Sequence, residues 1–174
     1  MQRMALSFAT ERGCYSAMAF DYVLERELAF HETDMAGIAH FSNFFRWMEM
    51  AEHAFLNSIG IAPVVQERDK FWGWPRVRAS CEYHSPLRFG DGFEVHLFVK
   101  EIKQKSIVYF YRFRKKESDG CFTAVARAEM TSVYAGFDVP TQTMGALDLE
   151  SDLIAKLEEA PADLMKAARN QRPF

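Results

Sequence analysis

One stretch, from about Asn43 to Ser58, constrains the fold more than any other, because its apolar residues cover too much of a helix to leave it on a surface. Phe44, Met48, Ala51 and Phe55 recur at helical spacing, with Trp47, Ala54 and Ile59 beside them. Phe45 and Leu56 lie well round from that stripe. So wide an apolar arc needs cover on more than one side, from a sheet curled round the helix or from a second subunit. Ser42 or Asn43 is placed to cap the first turn, and Gly60 to stop the last.

The period on either side of this helix is that of strands. Between Met18 and His31, Phe20, Tyr22, Leu24, Leu28 and Phe30 share one parity, against Asp21, Glu25 and Glu27. Four further alternating runs follow the helix, at 76–84, 93–100, 106–115 and 122–134, separated by turn residues such as Gly90-Asp-Gly92 and Asp119-Gly120. Ala124, Ala126 and Ala128 leave room on one face for something bulky, most simply the central helix. Residues 61–74 and 136–145 show no period and are expected to be irregular, while Ser151–Ala160 and Pro161–Arg169 predict two short surface helices. This order predicts an α+β domain over 18–135, with a mostly antiparallel five-stranded sheet. An N-terminal extension (1–17) would precede it, and a C-terminal loop with short helices (136–174) would follow.

Composition narrows the class. A chain of 174 residues suits one domain with a sizeable core, and 16 Phe must be absorbed by that core or by a partner. The net charge of −3 argues against bulk nucleic-acid binding. Cys14, Cys81 and Cys121 are too widely spaced for a disulfide framework or a zinc site. No run of about 18 apolar residues occurs, so no membrane span is expected. The N-terminus is too polar for a secretory segment, and a cytoplasmic protein is expected.

Chemistry concentrates in the loop His31–Asn43, which runs straight into the central helix. It carries the carboxylate of Asp34, the imidazoles of His31 and His40, and Gly37, whose missing side chain allows close approach of a ligand. The helix start adds unpaired N–H groups and a positive dipole end, both suited to a developing oxyanion. Asp34 can serve as a base or nucleophile, or only shape a turn. His31, Asp34 and His40 lack the spacing of a zinc site, so no metal is expected. Phe71, Trp72 and Trp74 could line an acyl pocket or plug a dimer core. Arg88 and Lys105 are candidate phosphate partners among the basic residues.

Asp34-x-Ala36-Gly37-Ile38, then Asn43 with Phe44, then Glu49-x-Ala51, and later Pro86-x-x-x-Gly90-Asp91 resemble, in this order, the 4-hydroxybenzoyl-CoA thioesterase family of hotdog-fold proteins. The likeness spans Phe20 to Tyr134. It implies a long helix wrapped by the curled sheet, and two chains paired as a homodimer or within a homotetramer. It also implies an acyl-CoA site at their interface, with hydrolysis to a free acid and CoA. No cofactor is implied beyond the coenzyme A of the substrate. The resemblance makes Asp34 the nucleophile or general base and the Phe41 N–H the oxyanion donor. Gly37, His40, Ser42, Asn43 and Arg88 are expected to bind substrate. Several relatives place His or Tyr seven residues after the aspartate, where this chain has Phe41, with His40 one earlier. A second branch of hotdog thioesterases uses a helix carboxylate, which makes Glu49 the rival catalytic residue; Phe45 and Leu56 near it predict partial burial. The alternatives are a hotdog dehydratase or hydratase, whose His-with-Asp/Glu signature is not found, and a catalytically silent acyl-thioester binding module.

Overall fold

The computed structural model describes residues 19–170, so the expected extension over 1–17, Cys14 included, lies outside the described residues. Strand β1 (Asp21–Glu27) leads through a single 3-10 turn (Phe30–Glu32) and the Asp34 loop into helix α1 (Asn43–Ser58). Strands β2 (Val64–Glu67), β3 (Lys70–Gly73), β4 (Arg76–Tyr83), β5 (Gly92–Ile102), β6 (Ser106–Lys116), β7 (Phe122–Val133), β8 (Ala135–Asp138) and β9 (Thr143–Ala146) follow. The chain then forms α2 (Ser151–Ile154) and α3 (Ala162–Arg169). The main sheet is five-stranded and antiparallel throughout, in the order β1-β5-β6-β7-β4.

Strand alternation and the helical stripe meet in one core. Phe93, Val95, Leu97 and Val99 of β5 and Ile107, Tyr109, Tyr111 and Phe113 of β6 are buried with Phe44, Trp47, Met48, Ala51, Phe55 and Leu56 of α1. Each buried Val, Leu, Ile, Phe or Met among them contributes about 1.5–3 kcal/mol, which is why the helix sits inside the curl of the sheet. The helix stops where expected: Gly60 takes φ +70°, and the N–H of Ile61 returns to the carbonyl of Leu56. Its start differs from the expectation. Ser42 holds the cap position but makes no capping hydrogen bond, because its hydroxyl is engaged by His40.

Four further differences have local causes. Residues 61–74 and 136–145 are not irregular: β2, β3, β8 and β9 form a second, four-stranded antiparallel sheet. Each strand has only four residues, too few to show a period. Ala126 and Ala128 lie opposite Phe113 and Tyr111 across β6, so the room they leave is beside those rings, while α1 runs closest to β5 and β1. Phe30 leaves the first strand's buried parity in the 3-10 turn and is 75% exposed. Finally, α2 is one turn long, whereas α3 packs Met165 and Ala168 on Phe98 and Phe110 of the sheet's outer face.

Candidate active site

The Asp34 loop is a closed hairpin-like turn fastened at both ends. Thr33 bridges Ala39, the Asp34 N–H donates to the Ile38 carbonyl at 2.8 Å, and Gly37 takes φ +71°. That left-handed conformation is open to glycine at no steric cost. Asp34 Oδ1 accepts the N–H groups of Ala36 (2.8 Å) and Ile38 (3.3 Å). Its other oxygen, Oδ2, has no partner among the described residues. One carboxylate oxygen therefore shapes the turn while the other stays available, so the two readings of this residue are compatible.

At the far end of the loop the backbone donors are disposed unequally. The His40 N–H donates to the Glu32 carbonyl (2.9 Å), the Ser42 N–H to His40 Nδ1 (3.3 Å) and the Asn43 N–H to the His40 carbonyl (3.0 Å). The N–H of Phe41, between them, has no partner among the described residues. It lies two residues ahead of Asn43, the first residue of α1, where the peptide dipoles favour negative charge. The Pro86–Gly92 turn joins the same locality: Ile38 bridges Arg88, and the Ala39 N–H donates to the Leu87 carbonyl. The Arg88 guanidinium is exposed and has no ion-pair partner among the described residues. Phe30, Met35, Phe41 and Phe89 are all exposed, with Phe30 and Phe89 edge to face at 6.0 Å, and form an apolar rim on this side of the molecule.

Other sequence-derived candidates are placed as follows. His40 Nδ1 and Ser42 Oγ hydrogen-bond each other at 2.8 Å, and the imidazole stacks beside Phe41. The Asn43 amide is buried and donates to the Glu32 carbonyl at 2.7 Å. No hydrogen bond or ion pair joins Glu49 to Asp34 among the described residues, and Glu49 lies about 9 Å along the helix axis from Asn43. Its side chain is 48% exposed, against the partial burial expected from Phe45 and Leu56, and it pairs with Arg76 at 3.0 Å. Trp74 is buried against Tyr134, while Trp72 belongs to the second sheet. Among the described residues no three His, Cys, Asp or Glu side chains converge as metal ligands.

Four side chains near these segments were missed from the sequence. Glu52, not Glu49, is the buried helix carboxylate, fully enclosed and bonded by Arg76 Nη2 at 2.5 Å. Burial raises its pKa, opposed by Arg76 and the Ser132 hydroxyl. The signal was present, since Glu52 is four residues after Met48 and three before Phe55, on the apolar stripe. Beside it His53 is held below its usual range by burial and by Arg76, so its neutral Nε2 can accept from Arg76 at 2.9 Å. Tyr83, on the inward parity of β4, donates its hydroxyl to the Phe41 carbonyl at 3.2 Å; burial, with Cys81 adjacent, pushes this phenol up to about 12 and keeps it a donor. Glu32, two residues before Asp34, is buried and had no periodic signal at all.

Comparison with known proteins agrees with this geometry. The sequence model of the thioesterase-like superfamily matches residues 28–167. A protein of Aquifex aeolicus (strain VF5), named provisionally as an esterase, is 37% identical over 107 residues, which are 62% of this chain and 79% of that protein. The 4-hydroxybenzoyl-CoA thioesterase of Pseudomonas sp. (strain CBS-3) is 26% identical over 140 residues, covering 79% of this chain and 97% of the enzyme. A crystal structure of that enzyme superposes with a TM-score of 0.68 at 22% identity, over 78% of this chain and 98% of the other, and so shares the fold. With one helix wrapped by a five-stranded antiparallel sheet and a family match over most of its length, the chain belongs to the thioesterase-like superfamily and has the hotdog fold.

Proposed function

We propose that this thioesterase hydrolyses an acyl-CoA to a carboxylic acid and free coenzyme A at the Asp34 loop. The observation that carries the reading is the pairing, on one closed loop, of a carboxylate with a free Oδ2 and a backbone N–H, that of Phe41, without a partner among the described residues. Asp34 attacks the thioester carbonyl carbon, or removes the proton from a water that does so. The carbonyl oxygen takes the negative charge and is stabilised by the Phe41 N–H at the positive end of α1. The C–S bond then breaks, the electron pair leaves on sulfur as CoA thiolate, and that sulfur takes up a proton. Where Asp34 is the nucleophile, a water then hydrolyses the mixed anhydride formed on its carboxylate, releasing the acid and restoring Asp34. The apolar rim of Phe30, Met35, Phe41 and Phe89 suits the acyl group, and Arg88, on the adjoining turn, suits a CoA phosphate. The relatives include enzymes named for 4-hydroxybenzoyl-CoA and 1,4-dihydroxy-2-naphthoyl-CoA, which makes these the first thioesters to try.

A second copy of the chain would complete the site. Strand β4 is an open edge of the main sheet, and Val77 and Tyr83 on it are 63% and 46% exposed, so pairing of β4 with its counterpart would extend the sheet. The test is free-thiol release from a panel of short-chain, long-chain and aromatic acyl-CoAs. Asp34→Asn should keep its fold and lose about 10²–10⁴-fold in kcat, the scale of a positioned acid–base group. Wild-type turnover in Asp34→Asn with loss in Glu49→Gln alone would transfer the role to the helix carboxylate. Saturable binding without thiol release would mark a silent binding module.

A further inference from the structure

Glu32 carries more hydrogen bonds than any turn residue needs. Its carboxylate is about nine-tenths buried, and it accepts from three elements: the Trp47 indole N–H of α1 (2.9 Å), the Ala29 N–H (3.0 Å) and Arg26 Nη2 of β1 (3.0 Å). Its backbone carbonyl accepts twice more, from the His40 N–H (2.9 Å) and the buried Asn43 amide (2.7 Å). The first three bonds fix Glu32 to the scaffold. The other two fix the end of the loop to Glu32. Asp34 is two residues after this anchor, and Phe41 directly follows the His40 peptide that it holds. Burial alone would raise the Glu32 pKa, but Trp47, Ala29 and Arg26 together keep it below the usual carboxylate range, so the anchor is an anion and its bonds are charge-assisted.

We propose that Glu32 is a positioning residue for the reaction: its carboxylate, clamped between β1 and α1, sets where the Asp34 carboxylate stands relative to the Phe41 N–H. This rests on the reading of Asp34 given above. A nucleophile and an oxyanion donor on one mobile loop would sample many separations, and a misplacement of about 1 Å can cost about 100-fold in rate. The clamp removes that freedom before substrate arrives. Because Glu32 is buried behind the loop, it acts on orientation and not on binding, so its loss falls on kcat and leaves KM alone.

The experiment measures kcat and KM of the full-length protein by thiol release, with 4-hydroxybenzoyl-CoA as probe or, if that is not turned over, the best thioester of the panel. Glu32→Gln keeps the shape but turns an amide N–H₂ towards donors. It should lower kcat by about 100-fold at an unchanged KM, at a temperature where circular dichroism shows it fully folded. Trp47→Phe, which removes one donor and keeps a ring, should lower kcat by about tenfold. A folded Glu32→Gln with kcat within twofold of wild type, or with only a raised KM, overturns the proposal. If Glu32→Gln does not fold, Trp47→Phe decides alone: a wild-type kcat there overturns the proposal too. A fully active Asp34→Asn would instead overturn the reading of the catalytic carboxylate, so the two failures are distinguishable.

Discussion

Three carboxylates within twenty-one residues have been given three different environments, and the difference lies in what each oxygen meets. Asp34 keeps one oxygen free at the surface of a loop, Glu32 is an anion held by donors from three elements, and Glu52 is sealed under the sheet beside Arg76. Only the first was legible from spacing, because its neighbours form a pattern along the chain. The partners of the other two, Arg26 with Trp47 and then Arg76, are brought in by tertiary contacts. Arg76→Met should therefore cost about 3–5 kcal/mol, because it strands a buried carboxylate without its cation. The pH dependence has a definite sign. Burial places the Glu52 pKa in the folded state above its unfolded value, so its ionisation opposes folding, and loss of Arg76 enlarges that penalty. In Arg76→Met the deficit should be largest at high pH and shrink as pH falls through the raised pKa. Urea denaturation of both proteins across that range would check it, and a deficit independent of pH would contradict the assignment.

Among elements, periodicity succeeded where length and burial were sufficient. The strands β5, β6 and β7 have 11, 11 and 12 residues, and α1 has 16, so their patterns are read over several repeats. The four-residue strands of the second sheet offered two residues per face, and β3 finds its partner β8 some sixty residues away. The edge strand β4 alternates in sequence, yet is mostly exposed within one chain, because nothing here covers its far side. Helix α3 gives a prediction at this scale. Its Met165 covers Phe98 and Phe110 on the sheet face opposite α1, so Met165→Ala should cost about 2 kcal/mol in urea denaturation. Thiol release by the folded variant should match wild type, since the Asp34 loop contacts α1 and the Pro86–Gly92 turn and not α3.

For the molecule as a whole, the exposed apolar side chains around Asp34 and the bare edge of β4 make up the surface that the pairing of two chains proposed above would cover. If pairing through β4 covers it, light scattering should give the mass of two or four chains. Val77→Glu, which sets like charges on the strand and its counterpart, should shift that mass towards one chain and reduce thiol release with it. Full activity in a monomeric Val77→Glu would show that one chain suffices.

The sequence by itself determined an α+β domain with a mostly antiparallel sheet, the inner and outer faces of its long strands, and the turn of the Asp34 loop. These follow from repeating local patterns: a helix apolar over a wide arc, strands of period two, and glycine where φ must be positive. Tertiary structure alone decided that Arg76 meets Glu52, that Asn43 faces Glu32, that the Phe41 N–H is left without a partner among the described residues, and that two short hairpins join in a second sheet. Each depends on which polar atoms meet across long separations in sequence. No local period encodes that, because a hydrogen bond is satisfied by whatever the folded chain brings within 3 Å or so, and not by what lies next to it.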